Sequence, residues 1–236
     1  VTRDLLVLVP TRGRPHAVAE LLDTWHCGPS TDLLLGVDDD DPELPAYRAL
    51  IEAHNEPAVI LQTGPRLRLG GTLNALAAEH APHYRAIAFM GDDHRPRTIG
   101  WDTALLAELD RLRAERGAGL VYGDDLLMGE RLPTAVAMTS NIVTTLGRMV
   151  PTGLIHLYLD NYWLDLGHAL DAITYMPNVV IEHLHPSAGK AAWDQRYDEV
   201  NTPEMYDADQ ATYEAFAAAG GLDRDAARIR EDPCRS

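Results

Sequence analysis

The first half of the chain alternates two hydrophobic rhythms. Short unbroken apolar runs suit buried strands, and each is followed by a segment whose apolar positions recur every three or four residues. Residues 4–9 (DLLVLV) form the first run, and Pro10-Thr11-Arg12-Gly13-Arg14-Pro15 breaks it. Over 15–26, Val18, Leu21, Leu22 and Trp25 fall at helical spacing. A second strand is predicted over 33–37, ended by Asp38-Asp39-Asp40-Asp41-Pro42, and a helix over 43–54. Residues 58–62 give a third strand, and Gly70-Gly71-Thr72 opens a helix carrying Leu73, Leu76 and Ala77. A fourth strand over 85–90 stops at Gly91-Asp92-Asp93-His94, before a helix over 98–116 and a fifth strand over 119–122. Strand–helix alternation with continuous apolar strands predicts an α/β fold, its mostly parallel central sheet covered by helices on both faces. In open sheets of this kind ligands sit outside the carboxyl ends of the strands. The strand-ending loops are therefore the place to look for chemistry.

After Gly123 the rhythm loosens. A short helix is predicted over 140–146 and a longer one, rich in Tyr, Trp and Asp, over 157–170. Residues 172–176 and 179–182 read as two strands joined by Pro177-Asn178. Beyond Asp198 the chain is polar and acidic, with a last helix near 208–219 and an Arg/Asp-rich tail.

Composition narrows the function classes. The 236 residues are 46% apolar and 24% charged, enough for a substantial core. The net charge of −16 repels phosphate backbones and argues against general nucleic-acid binding. No apolar run approaches a membrane span, and no basic segment leads into an apolar run and a cleavage site, so transmembrane and secretory readings fail. Cys27 and Cys234 cannot build a disulfide framework or a four-thiolate zinc site, which leaves a reduced, cytoplasmic setting as the expectation. The start at Val1 in place of Met raises the expectation that a few leading residues have been trimmed.

Three strand ends carry residues suited to a phosphate and a cation. The first, Pro10 to Pro15, offers a hydroxyl, two guanidiniums and a glycine that lets backbone approach a ligand. A plain strand-to-helix turn with Pro15 in the first helical turn accounts for the same residues. The second is the aspartate run 38–41, in which a carboxylate can accept from a base or ribose; a solvated acidic loop is the bland alternative. The third is Gly91-Asp92-Asp93-His94, whose oxygen and nitrogen donors suit Mg²⁺ or Mn²⁺. A second Gly-Asp-Asp at 123–125 competes for that role, and either could be a tight turn.

Together, Pro10 to Pro15, Val37-Asp38-Asp39, Gly70-Gly71-Thr72-Leu73-Asn74 and Gly91-Asp92-Asp93 resemble the ordered motifs of GT-A glycosyltransferases of the family 2 type, over about residues 4–103. The resemblance implies a Rossmann-like GT-A domain spanning 1–236. About 1–125 would be its nucleotide-binding half, and about 126–236 its acceptor-binding and catalytic half with the C-terminal tail. It implies a metal-dependent transfer of sugar from a nucleotide-diphosphate sugar, UDP-linked as a first guess, to an acceptor hydroxyl whose identity stays open. The nucleotide would lie on Pro10, Thr11, Arg12, Arg14, Asp38, Asp39, Gly71, Asn74 and Asp92. Gly91 stands where the family has the first aspartate of its DxD element, which leaves Asp93 as the expected Mn²⁺ or Mg²⁺ ligand.

An inverting transfer needs a carboxylate that takes the acceptor proton. The family places it in an acidic pair at a helix start, which here matches the stretch from Tyr158 to Asp165. Asp160 fits best, with an N-cap role as its rival, and Asp165 is the alternative. Further on, His183-Leu184-His185 puts both imidazoles on one face if the strand persists. The resemblance makes either a further metal ligand and lets Lys190 meet the diphosphate. Two other classes stay open: a nucleotidyltransferase, although the expected lysine after the first strand is missing, and a non-catalytic nucleotide- or carbohydrate-binding module.

Overall fold

The computed structural model describes residues 3–54, 58–200 and 202–231, so Cys234 lies outside the described residues. Four parallel strands form the first half of the sheet: β1 (Arg3–Thr11), β2 (Thr31–Asp38), β3 (Val59–Gly64) and β4 (Tyr84–Phe89). Helices α1 (Pro15–Asp23), α2 (Leu44–His54) and α3 (Arg68–His80) make the crossovers. Then come β5 (His94–Pro96), α4 (Trp101–Arg116), β6 (Leu120–Asp124), β7 (Val136–Thr139), α5 (Ser140–Leu146), α6 (Leu159–Leu170) and β8 (Ile173–His183). Helices α7 (Gln195–Val200), α8 (Pro203–Ala218) and α9 (Gly221–Glu231) close the chain.

The strands lie in the order β3-β2-β1-β4-β7-β6-β8-β5. The sheet is mostly parallel, with β7 antiparallel to both β4 and β6, and β5 antiparallel to β8. Alternate residues of β1 serve two cores. Leu6 and Leu8 face α3, α5, α6 and α9, while Leu5, Val7 and Val9 face α1, α2 and α4. Both sets are fully buried, which is why the strands read as unbroken apolar runs.

Several elements depart from the pattern. The two strands expected over 172–182 are one, β8, whose pairing jumps from Gly123–Met176 to Asp124–Val180. Pro177-Asn178 is a bulge in that strand, not a connection between two, because proline cannot donate to a ladder. Gly123 lets the bulge pass: a Cβ there would lie 2.2 Å from the Val179 carbonyl oxygen. The central β7 and the three-residue β5 are too short to announce themselves. The Arg/Asp-rich tail is helix α9, which buries Ala226 and Ile229 and sends Asp225 to Tyr162 (2.8 Å) and Arg148 (2.5 Å).

Candidate functional site

A cleft of about 360 Å³ opens at the carboxyl ends of β1, β2 and β4. Its walls come from the loops after those strands, the start of α3, the segment leading into α6, and the stretch from His183 to Met205. The strand register sets the first corner. β1 and β2 run side by side to Thr11 and Val37, so the two loops that follow emerge together. Arg12 donates to Asp38 at 2.9 Å and also pairs with Asp40. Asp41 accepts from the N–H of Gly13 at 2.8 Å and of Glu43 at 2.9 Å, which ties the two loops into one unit.

A buried relay joins this corner to the loop after β4. The Arg14 N–H donates to the Tyr47 hydroxyl (2.8 Å), and because Thr11 spends its one hydrogen on Asp92, the Tyr47 hydroxyl donates to Thr11 Oγ1 (3.0 Å). Thr11 in turn donates to Asp92 Oδ2 at 2.7 Å. The Arg14 guanidinium grips both oxygens of Asp194, reaches Asp92 at 3.4 Å and lies over the Tyr197 ring at 4.3 Å. Burial pushes the Asp92 carboxyl up, and the neighbouring Asp93 charge adds to the rise against the pull of Arg14 and Thr11.

Asp93 faces the other way. Burial would raise its carboxyl, but His183 and then His94 more than offset this and hold it well below the usual range. His183 Nε2 lies 3.4 Å from Asp93 Oδ2, and His94 Nδ1 lies 3.3 Å from Oδ1. Strand pairing produces this cluster: His94 on β5 is directly opposite His183 on β8, and their rings stack at 4.3 Å and 17°. One ligand atom from each of Asp93, His94 and His183 falls within 4.8 Å of the others. A carboxylate with two imidazoles fits a divalent ion such as Mn²⁺ better than Mg²⁺, which prefers oxygen. His185 sits beside this group, its ring 5.2 Å from that of His183, with its pKa lowered by burial and by the His183 charge. It is outside the three-residue cluster, whereas His94 is inside it.

The far wall is built by Asp209 on α8. Fully buried, it accepts from the N–H groups of Ile155, His156 and Leu157 at 2.7–2.8 Å and so fixes the turn that feeds α6. The start of α3 closes on the same turn, where the Gly70 N–H donates to the Ile155 carbonyl. Only glycine fits there, since a Cβ would meet the Leu154 oxygen at 2.2 Å. His156 lines the cleft with its pKa pushed down to about 4 by burial. Asp160, in the first turn of α6, also lines the cleft. It accepts from the Asn161 N–H at 3.0 Å, and burial raises its carboxyl.

Compared with known protein families and with curated sequences, the chain finds no match. Solved structures do match. A Pyrobaculum calidifontis mannosyltransferase, PcManGT, in complex with GDP-Man and Mn²⁺, superposes over 99% of this chain and 82% of its own, with a TM-score of 0.58 and 16% identity. Glucosyl-3-phosphoglycerate synthase from Mycobacterium tuberculosis, with Mn²⁺, UDP and glucosyl-3-phosphoglycerate, covers 90% and 79% at 0.60 and 15% identity. S. aureus TarS with UDP covers 75% of this chain at 0.58 and 10% identity. The chain spans 59% of that TarS chain and 36% of a longer one. The chain has the GT-A fold.

Within this GT-A chain the residues expected from sequence divide. Pro10, Thr11, Arg12, Arg14, Asp38, Asp92, Asp93, His183, His185 and Asp160 line the cleft. Asp39 is exposed beside it, with its N–H on the Gly64 carbonyl. Gly71 packs against Leu67, and the Asn74 amide is spent on the backbone of Met149 and Val150. Asp165 accepts from the Tyr213 hydroxyl, and Lys190 pairs with Glu182 at 3.0 Å. The second Gly-Asp-Asp serves a turn. Asp125 Oδ1 accepts from the N–H groups of Leu127, Met128 and Gly129, and Oδ2 accepts from Thr134. His94, the nitrogen donor of the Gly91–His94 motif, lines the cleft together with Tyr197; Arg66, Arg68 and His156 also line it, and no motif singled them out. The signal for His94 was its place beside Asp93; for the rest, residue type alone was no guide.

Among the described residues no helix is long and apolar enough to cross a membrane.

Proposed function

We propose that the protein is a glycosyltransferase that moves a sugar from a nucleotide-diphosphate sugar, UDP-linked in the first instance, to an acceptor hydroxyl with inversion at the anomeric carbon. The observation that carries the reading is one cleft at the carboxyl edge of a GT-A sheet, lined both by the Asp93 cluster and by the buried carboxylate Asp160. The nucleotide would lie at the corner made by Thr11, Arg12 and Asp38, with Arg14 and Asp92 behind it. Asp93 and His183, joined by His94, would hold Mn²⁺; when bound, the ion supplies positive charge against the diphosphate. His185 would then face the donor from the edge of the cluster. Solved relatives of the same fold carry GDP-Man or UDP together with Mn²⁺, which supports this choice of ligands.

Asp160 would act as base. In the transfer the acceptor oxygen forms its bond to the anomeric carbon while the bond to the diphosphate breaks. The acceptor proton passes to Asp160, and the nucleoside diphosphate leaves with the bonding electron pair. A carboxyl raised by burial is a better proton acceptor than an exposed one. His156 would remain neutral near pH 7, its ring available to hydrogen-bond a sugar hydroxyl without adding charge.

The test is product analysis with a panel of UDP- and GDP-sugars, Mn²⁺ and saccharide acceptors. Free nucleoside diphosphate with a glycosylated acceptor supports the reading. Pyrophosphate in its place assigns a nucleotidyltransferase, and saturable binding without turnover assigns a binding module.

A further inference from the structure

We infer that the acceptor carries an anionic group, a carboxylate or a phosphate, and that Arg68 holds it while the acceptor hydroxyl faces Asp160. The inference rests on the transferase reading of the cleft and names the class of acceptor.

Four arginines line the cleft, and three of them are taken. Arg12 pairs with Asp38 and Asp40, and Arg14 with Asp194 and Asp92. Arg66 reaches Glu199 at 3.4 Å and Asp38 at 3.8 Å. Arg68 is the fourth. Among the described residues its guanidinium meets no hydrogen-bond or ion-pair partner.

The backbone does not ask for arginine at this place. Arg68 opens α3 with a φ of 62°, in the left-handed region, where glycine would serve without strain. A cation at the start of a helix also meets the positive end of its dipole. The first turn of α3 has neither a capping side chain nor an acidic residue to compensate. A strained cation, set against the dipole on the wall of a cleft, is accounted for by an anion that arrives with the ligand.

Its place selects the acceptor side. Gly70 donates to the Ile155 carbonyl and so fixes the start of α3 against the turn that feeds α6. The Arg68 charge is felt on that turn: burial first, then Arg14 and Arg68, depress the pKa of His156 against the pull of Asp209 and Asp93. Asp160 follows in the first turn of α6. The His156 ring makes no hydrogen bond among the described residues, which leaves its nitrogens for the same ligand. The donor corner is served instead by Arg66, through its pairing with Asp38. Carboxylates explain why a dedicated cation is required. Asp92, Asp93, Asp160 and Glu199 line the same cleft in a chain of net charge −16, so an anionic acceptor is repelled unless one site compensates.

The experiment is calorimetry on the full chain with Mn²⁺ and UDP present, titrated with methyl glycosides of glucose, galactose and mannose. Each sugar is offered as the neutral form, the 6-phosphate and the uronate. At least one acid should bind about 10–100-fold more tightly than its neutral parent, the worth of hydrogen bonding to a charged group, and the tighter acid names that group. Arg68→Gly suits the left-handed turn, so its thermal midpoint should hold, and it should bring acid and neutral forms within about twofold of each other. Arg68→Lys keeps the charge without the planar fork and should keep part of the preference. Arg68→Asn also tolerates the turn and carries the test if the glycine variant does not fold. In turnover the loss should fall on the KM of the acidic acceptor more than on kcat. No acid binding tighter than its neutral parent overturns the inference, and so does a preference that survives in Arg68→Gly. A large loss of UDP affinity in that variant assigns Arg68 to the donor diphosphate and overturns it too. Acids held through Arg68 with no sugar transferred overturn the transferase reading instead, and the anion site stands.

Discussion

Tyr197 donates its hydroxyl to Asp93 Oδ2 across 2.7 Å, joining residues 104 positions apart in the chain. The phenol is held there by the Arg14 guanidinium over its ring, and burial followed by the Asp93 charge raises its pKa. Helix α7 thus occupies an oxygen of the carboxylate proposed to hold the ion. Tyr197→Phe removes the donor and keeps the ring. Mn²⁺ affinity should rise by about tenfold, the worth of one hydrogen bond to a charged group. Calorimetry on the metal-free chain measures it, and an unchanged or weaker affinity would show that Tyr197 does not compete with the ion.

Asp160→Asn should lower turnover on the order of 10²-fold or more while nucleotide affinity stays near that of the wild type. Stability should move the other way. A carboxyl whose folded pKa is raised binds its proton more tightly in the folded state, so stability falls as pH climbs from the unfolded value through the folded one. At neutral pH the buried charge is a cost that asparagine lacks, and the variant should melt no lower than wild type. The wild-type rate should fall on acidification at a pH above that of an ordinary aspartate. Near-full activity in Asp160→Asn, with loss in Asp165→Asn, would move the base to Asp165.

Asp209→Ala should destabilise the fold by about 3 kcal/mol, because three backbone N–H groups at 155–157 lose their acceptor together. For a chain of this size that is roughly 6–12 °C in the thermal midpoint. The same change loosens the entry to α6, so kcat should fall even at temperatures where the variant is folded. Asp209→Asn keeps one acceptor oxygen and should lose less of both. Equal melting of wild type and Asp209→Ala would show that the turn is held by other contacts.

Nucleotide binding should depend on the ion. With Mn²⁺ present, UDP at about 100 times its Kd should stabilise the protein by about 2.7 kcal/mol, which corresponds to roughly 5–10 °C. Excess chelator should abolish most of that shift, since the diphosphate would then meet Asp92 and Asp93 without compensation. A shift that survives the chelator assigns binding to the arginines alone.

Much of this was settled by sequence alone. Buried strands on both faces of a sheet must be apolar at consecutive positions, and helices at every third or fourth, so β1 to β4, β6 and the helices around them were visible as rhythm. The loops after β1, β2 and β4 stood out because ligands of such sheets sit outside the carboxyl ends of the strands and these loops carry phosphate- and cation-binding residue types. That local signal brought out Thr11, Arg12, Asp38 and Asp93, all of which line the cleft. It could not separate them from Asn74, Asp165 or Lys190, because whether a polar side chain faces a cleft or a neighbouring backbone is decided by packing. Nor could it join His94 to His183. Their stacking depends on the register of a three-residue strand against β8, and the choice between the two Gly-Asp-Asp segments depends on which one meets three N–H groups in its own turn. The Asp125 contacts are local to one turn, but His94 and His183 lie scores of positions apart, and no periodicity along the chain encodes which distant strand a short segment will pair with.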